Sequence, residues 1–162
     1  MQPLKIESVK GLLVSISRQL KEHGWSLVVL PVEDTFYHFT LGLPGKYQHP
    51  DLEVLGLDEQ MGRDFLNELV TRIKQGARFQ SGDFFTDLVE GYDLFLVNNP
   101  VSPNGPPLTG ERLRLVWPDA RNRYPWHSDC EADCSRQRLI PDTSGIELSD
   151  LKLLLKHAQP YN

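Results

Sequence analysis

His49 stands immediately before Pro50 in a chain of 162 residues, and that pairing is where chemistry could start. A residue that precedes proline is biased toward extended backbone. Its imidazole is then either displayed from the Tyr47–Pro50 loop as an acid, base or ligand near neutral pH, or turned back to fasten that loop through its ring nitrogens. Thr40 and Gly42 lie just ahead of the loop and would border the same site. A second group, Trp117-Pro118-Asp119 and Tyr124-Pro125-Trp126, sets two indoles, a phenol and rigid prolines around one carboxylate. Aromatics of this size line a pocket or a partner surface, or close over a sheet as a lid while Asp119 caps a turn.

A third group is His127, Cys130 and Cys134, with Asp129, Glu131 and Asp133 as further oxygen donors. Zinc or iron could tolerate that spacing, but structural zinc usually takes four ligands in recurring pairs, and no second Cys or His pair exists. Cys130 as a nucleophile with His127 as its base is the enzymatic reading of the same residues. Gly42, Gly45 and Gly56 permit close backbone approach, yet their spacing matches no phosphate-cradling loop. His38, sharing a strand face with Phe36 and Thr40, reads as a half-buried structural histidine. No complete nucleophile triad, dinucleotide fingerprint or metal-ligand set can be read.

Composition narrows the classes further. Seventeen basic against 22 acidic side chains give a net charge of -5, and the basic residues are scattered rather than clustered, which disfavours nucleic acid as a partner. No run approaches the ~20 apolar residues that span a bilayer, and the start of the chain is too polar for a secretory signal. The expectation is a cytoplasmic protein that uses no membrane, either monomer or homodimer. At this length one domain can bury an adequate core without disulfides or a structural metal.

The elements that must position these groups follow from periodicity. Ile6, Val9, Leu13, Ile16 and Leu20 recur at helical spacing and Gly24 supplies a stop, so 1–23 reads as an amphipathic helix. Trp25 to Val32 and Phe36 to Leu43 form a hairpin about Glu33-Asp34, and Leu52 to Leu57 a third strand. Asp58 caps a helix carrying Met61, Phe65, Leu69 and Ile73. Phe79 to Gly91 reads as a turn-rich connection, Tyr92 to Val97 as a strand, and Asn98 to Gly110 as a proline-rich surface loop. Arg112 to Trp117 alternates, so Leu113, Leu115 and Trp117 should face the core and Arg112 and Arg114 water. An irregular segment over the sheet and a terminal helix within 141–162 complete a single α+β domain with a mainly antiparallel sheet and flanking helices, with split-barrel-like closure as one form it could take.

The runs FTLGLPGKYQHPDLEVLGL, GARFQSGD, EGYDLFLV and LVWPDARNRYPW resemble the mostly bacterial family called domain of unknown function 4262, over approximately residues 24–140. The resemblance implies recurrent positions at Thr40, Gly42, Leu43, His49, Pro50 and Leu52, and later at Gly76, Phe79, Gly82, Gly91 and Tyr92. It continues with Trp117, Pro118, Asp119, Pro125, Trp126 and Cys130. Asp51 replaces the usual glutamate and Phe39 the usual tyrosine, while His127 and Cys134 fall outside the pattern. The family name supplies architecture without chemistry.

Two functions remain in contention. The first is a binding module without autonomous catalysis that engages a protein partner, in the manner of an immunity protein or antitoxin, or a small ligand. Its face would join the Tyr47–Pro50 loop to the Trp117–Trp126 segment. The second is a flavin-binding oxidoreductase or cofactor carrier, with FMN held between two split-barrel-like copies near Thr40, Gly42 and His49. That rests on analogy of fold alone.

Overall fold

The apolar stripe near the start of the chain forms α1 (Ile6–His23), which lies against one face of a six-stranded sheet. The computed structural model describes residues 6–98 and 112–139, so the expected proline-rich loop beyond Asn98 and the terminal helix within 141–162 lie outside the described residues. Glu33 adopts φ 55 in the turn that joins β1 (Ser26–Val32) to β2 (Thr35–Leu41) as an antiparallel hairpin. Gly42 then opens a short helix, α2 (Leu43–Tyr47), where an extended strand end and loop were expected. Pro44 explains the difference, since proline is pre-organised for the first turn of a helix. β3 (Leu52–Leu57) and α3 (Glu59–Lys74) follow as expected, with the Asp58 carboxylate accepting Met61 N–H at 2.7 Å.

The stretch expected to be a turn-rich connection contains a strand, β4 (Phe84–Val89), paired with β5 (Tyr92–Asn98). Its polar Thr86 and Asp87 interrupt the alternation, and pairing with a regular neighbour overrides that weak local signal. β6 (Leu113–Val116) enters the centre of the sheet, giving the order β1-β2-β3-β6-β5-β4. Only the β3–β6 pair is parallel among the described strands. β1 and β4 end the order without pairing to each other, so the sheet is open and the split-barrel closure is not formed. After β6 come an irregular segment, the short α4 (Ala132–Ser135) and a 3-10 turn at Arg136–Arg138.

Alternation along the strands sorts the core into two layers. Val28, Leu30, Val32, Phe39 and Leu41 meet Ile16 and Leu20 of α1. On the opposite face Val54, Leu94, Leu96 and Leu115 meet Phe65, Leu69 and Ile73 of α3. Leu12, Leu13, Ile16 and Leu20 of the α1 stripe are therefore spent on packing within the domain. Together the layers make a single α+β domain, and no described helix is long and apolar enough to cross a membrane.

One strand departs from its expected pattern. All four residues of β6 are buried; Leu113 and Leu115 face the core as expected, whereas Arg114 is 2% exposed rather than turned to water. Its register partner on β3 is Glu53, whose Oε2 accepts Arg114 Nε at 2.7 Å. A counter-charge supplied by a strand sixty-one residues away in sequence is what makes the burial tolerable. Arg112, half-buried, lies over the Phe39 ring at 4.6 Å.

Candidate functional site

The first group of expected site residues is built into the junction between β2, α2 and β3. Thr40 Oγ1 donates to Asp51 Oδ1 at 2.8 Å and accepts Leu52 N–H at 2.9 Å. The same Oδ1 accepts Leu43 N–H at 3.0 Å. Burial pushes the Asp51 carboxyl above the usual range, against the opposing pull of the Leu43 and Thr40 donors. Gly42 sits at φ 98, and a Cβ there would stand 2.7 Å from the Gly24 carbonyl oxygen. Its glycine identity answers to the chain's own backbone rather than to a ligand.

His49 is 2% exposed. Its Nδ1–H donates to Pro50 O at 2.8 Å, which leaves Nε2 to accept Phe79 N–H at 2.9 Å. The ring also meets Phe79 edge-on at 5.7 Å. This is the fastening role: one imidazole ties the start of β3 to the chain leaving α3. Tyr47 and Pro50 are half-buried beside it, with Tyr47 packed on the α3-side core. Thr40, Gly42 and His49, the residues assigned to a flavin, thus have their hydroxyl, backbone and ring nitrogens committed to internal contacts.

His38 behaves similarly on the face toward α3. Fully buried, it donates from Nε2 to Glu59 O at 2.8 Å, while Nδ1 has no partner. Burial depresses the pKa of both His38 and His49, so the folded state binds fewer protons than the unfolded state once pH drops below the ordinary histidine value. Stability is then complete above roughly pH 6.5 and falls as pH is lowered through that value toward the depressed ones, at about 1.4 kcal/mol per unit of depression. Urea midpoints at pH 7.5 and pH 5.5 are expected to show that loss; a flat profile would contradict neutral, buried rings.

The second group surrounds the end of β6. Trp117 Nε1 donates to Leu55 O at 3.0 Å, and the Gln137 amide clasps the Trp117 backbone from both sides, accepting its N–H at 3.0 Å and donating to its carbonyl at 2.7 Å. Asp119 gathers four donors: the N–H groups of Arg121, Arg123 and Glu131, and Arg123 Nε. Desolvation works against its ionisation but is overcome by those N–H groups and the Arg123 charge, which hold the pKa down to about 2. Trp117 and Asp119 thus have their polar groups committed to contacts within the chain.

Tyr124 and Trp126 differ. Tyr124 OH donates to Asp93 O at 2.8 Å, and its ring stacks on Trp126 with centroids 4.8 Å apart and 10° between planes. Both rings meet Phe95 edge-on, at 5.3 and 6.0 Å, and Phe95 in turn meets Phe84 at 5.8 Å. Phe84 is 58% exposed and Trp126 53%. The four rings form one aromatic face on the α1 side of the sheet, over the β4–β5 half. Phe84 and Phe95 escaped the sequence reading; their signal was the inward set Phe85, Leu94 and Leu96, which turns their neighbours outward.

These two groups do not share a cleft. Asp51 O accepts Leu113 N–H at the start of the parallel pair, whereas Trp117 contacts Leu55 and Gly56 at its far end. The ends are roughly 16 Å apart at strand rise. His49 also joins the α3-side core through Phe79, while Trp126 lies over the opposite face.

Among the described residues the cysteine group forms neither a nucleophile–base pair nor a metal-ligand cluster. Cys134 is buried and both thiols are free. Burial, with Cys130 beside it, pushes the Cys134 thiol up to about 12, and a thiol is a poor nucleophile until it ionises. His127 Nδ1 accepts Tyr124 N–H at 2.9 Å, which removes it as a base for Cys130. Among the described residues no three His, Cys, Asp or Glu side chains are grouped to hold a metal ion.

A family model described as domain of unknown function (DUF4262) matches residues 19–110. The chain belongs to this family. No curated protein matches it, and no solved structure does. The DUF4262 match takes in the Thr40–Asp51 junction, His49, Phe84 and Phe95, but ends before the 117–126 segment that the resemblance to 140 had included. Within the matched region, Thr40, Leu43 and Asp51 are joined by the hydrogen bonds that hold β2, α2 and β3 together, and His49 is joined to Phe79.

Proposed function

We propose that this DUF4262 protein is a binding module that engages a protein partner through the aromatic face of Phe84, Phe95, Tyr124 and Trp126. The observation that carries the reading is the exposure of Phe84 and Trp126, 58% and 53%, within one continuous ring cluster. Exposed apolar patches of this kind mark interaction surfaces. Aromatic side chains supply much of the binding energy at such surfaces. The face is also held ready: Asp119 pins the loop at four points and Asp93 O anchors the Tyr124 hydroxyl, so little freedom is lost on binding.

Catalysis through the candidate groups is disfavoured because the described His38, His49, His127, Asp51, Asp119 and Cys134 are engaged in internal bonds. Affinity capture at low salt, with wild type beside Trp126→Ala, tests the reading. The variant should keep its stability within about 0.5 kcal/mol, as exposed positions do, yet lose the captured partner by tenfold or more, corresponding to about 1.4 kcal/mol. An unchanged partner profile would count against the face.

A further inference from the structure

We infer that the partner contributes an extended, cationic segment that adds to the edge of β4 left unpaired among the described residues, sending apolar side chains to the aromatic face and basic ones to an acidic groove beside α3. This deepens the aromatic-face reading and rests on it. Both edges of an open sheet present unpaired N–H and C=O groups, but the two edges here differ. β1 carries Pro31, which lacks an N–H and blunts its edge. β4, with the sequence FFTDLV, holds neither proline nor lysine, and among the described residues only β5 pairs with it.

The two surfaces that flank this edge are chemically opposite. On the α1 side lies Phe84, exposed among its ring partners. Toward α3 a groove of about 650 Å³ opens, floored by Met61, Phe65, Leu88 and Val89. Four carboxylates, Asp58, Asp64, Glu68 and Asp87, line it against the single guanidinium of Arg72. Arg72 is already spent, since it meets Asp87 Oδ2 at 2.9 Å and Glu68 Oε1 at 3.4 Å. Among the described residues Asp64 is answered only by the neutral Gln60 amide at 2.8 Å. The groove therefore carries uncompensated negative charge over an apolar floor, which selects a cationic, apolar-stemmed side chain such as lysine or arginine.

Strand geometry connects the two surfaces. Side chains of an extended segment alternate between faces, so a strand on this edge reaches both at once. The register of β4 on β5 is regular at Phe84 and Phe85 and slips before Val89. The added strand accordingly pairs at the Phe84 end, and its continuation passes over the groove beside Asp87 and Leu88. Main-chain bonds supply affinity in such additions and the alternate pockets supply specificity.

Fluorescence titration tests this with three short synthetic peptides: valine alternating with lysine, valine alternating with glutamate, and the lysine peptide N-methylated at alternate residues. The lysine peptide should bind at least ~10-fold more tightly than either of the others, and the difference should shrink with added salt. Asp64→Lys should weaken that binding ~10-fold, whereas Glu22→Lys, the same charge change on exposed α1, should leave it within ~2-fold. Equal affinity for lysine and glutamate peptides, equal binding after N-methylation, or equal damage from the two charge reversals would each overturn the inference. Trp126→Ala separates the two levels. If it weakens peptide binding while lysine and glutamate peptides bind alike, the aromatic face stands and the strand-addition inference falls. If it leaves lysine-peptide binding unchanged, the aromatic-face reading falls.

Discussion

Arg114→Met is expected to lower the free energy of unfolding by about 3–5 kcal/mol, because it strands a carboxylate in the interior. The Arg114 and Glu53 side chains are 2% and 4% exposed, with Nη2 and Oε2 2.5 Å apart. The same guanidinium donates to the carbonyls of Gln137 and Leu139, so its loss also frees the segment that covers this face. Nearby Tyr37 keeps its hydroxyl proton, held by burial and then by Glu53, so it adds no second negative charge beside the stranded carboxylate. The double variant Glu53→Leu/Arg114→Met should recover most of the loss, since apolar replacement of a buried pair is often neutral or better. Urea denaturation of the two single variants and the double variant measures this directly. A single-variant loss below about 1 kcal/mol would mean that water reaches the pair.

Gly62→Ala is expected to destabilise by about 1–3 kcal/mol through overpacking, against the ordinary rule that alanine in a helix interior gains about 0.5–1 kcal/mol over glycine. Gly62 lies in α3, and a Cβ there would land on the His38 ring, against Cε1, Nδ1 and Nε2. The ring is fully buried and fixed through Nε2 to Glu59 O, so it has nowhere to swing. In a His38→Ala background the obstruction is gone, and Gly62→Ala should there become stabilising. That reversal of sign in a double-mutant cycle separates a contact effect from helix propensity. The same sign in both backgrounds would show that His38 is not what demands the glycine.

His49 illustrates how far residue type alone can be read. Its position before Pro50 allowed either a displayed imidazole or a fastening one, and the choice depended on Phe79, thirty residues on, arriving with a free N–H. The aromatic face divides in the same way. Tyr124 and Trp126 were legible as large aromatics near rigid prolines, but Phe84 and Phe95 joined them only because β4 pairs with β5 and turns both rings outward. Asp119 as the cap of its own turn was legible because its principal donors, at Arg121 and Arg123, lie two and four residues away.

Local physics was sufficient for α1, α3, the hairpin of β1 and β2, and the mixed α+β class, because helical periodicity, capping and strand alternation are written within a few residues. What required the folded chain was every assignment made by a distant partner: Arg114 buried by Glu53 from a parallel neighbour, Gly62 demanded by His38, and the separation of His49 from Trp126 by the length and thickness of the sheet. A charge or an imidazole takes its role from the group it faces, and sequence order does not record which groups face one another across a sheet.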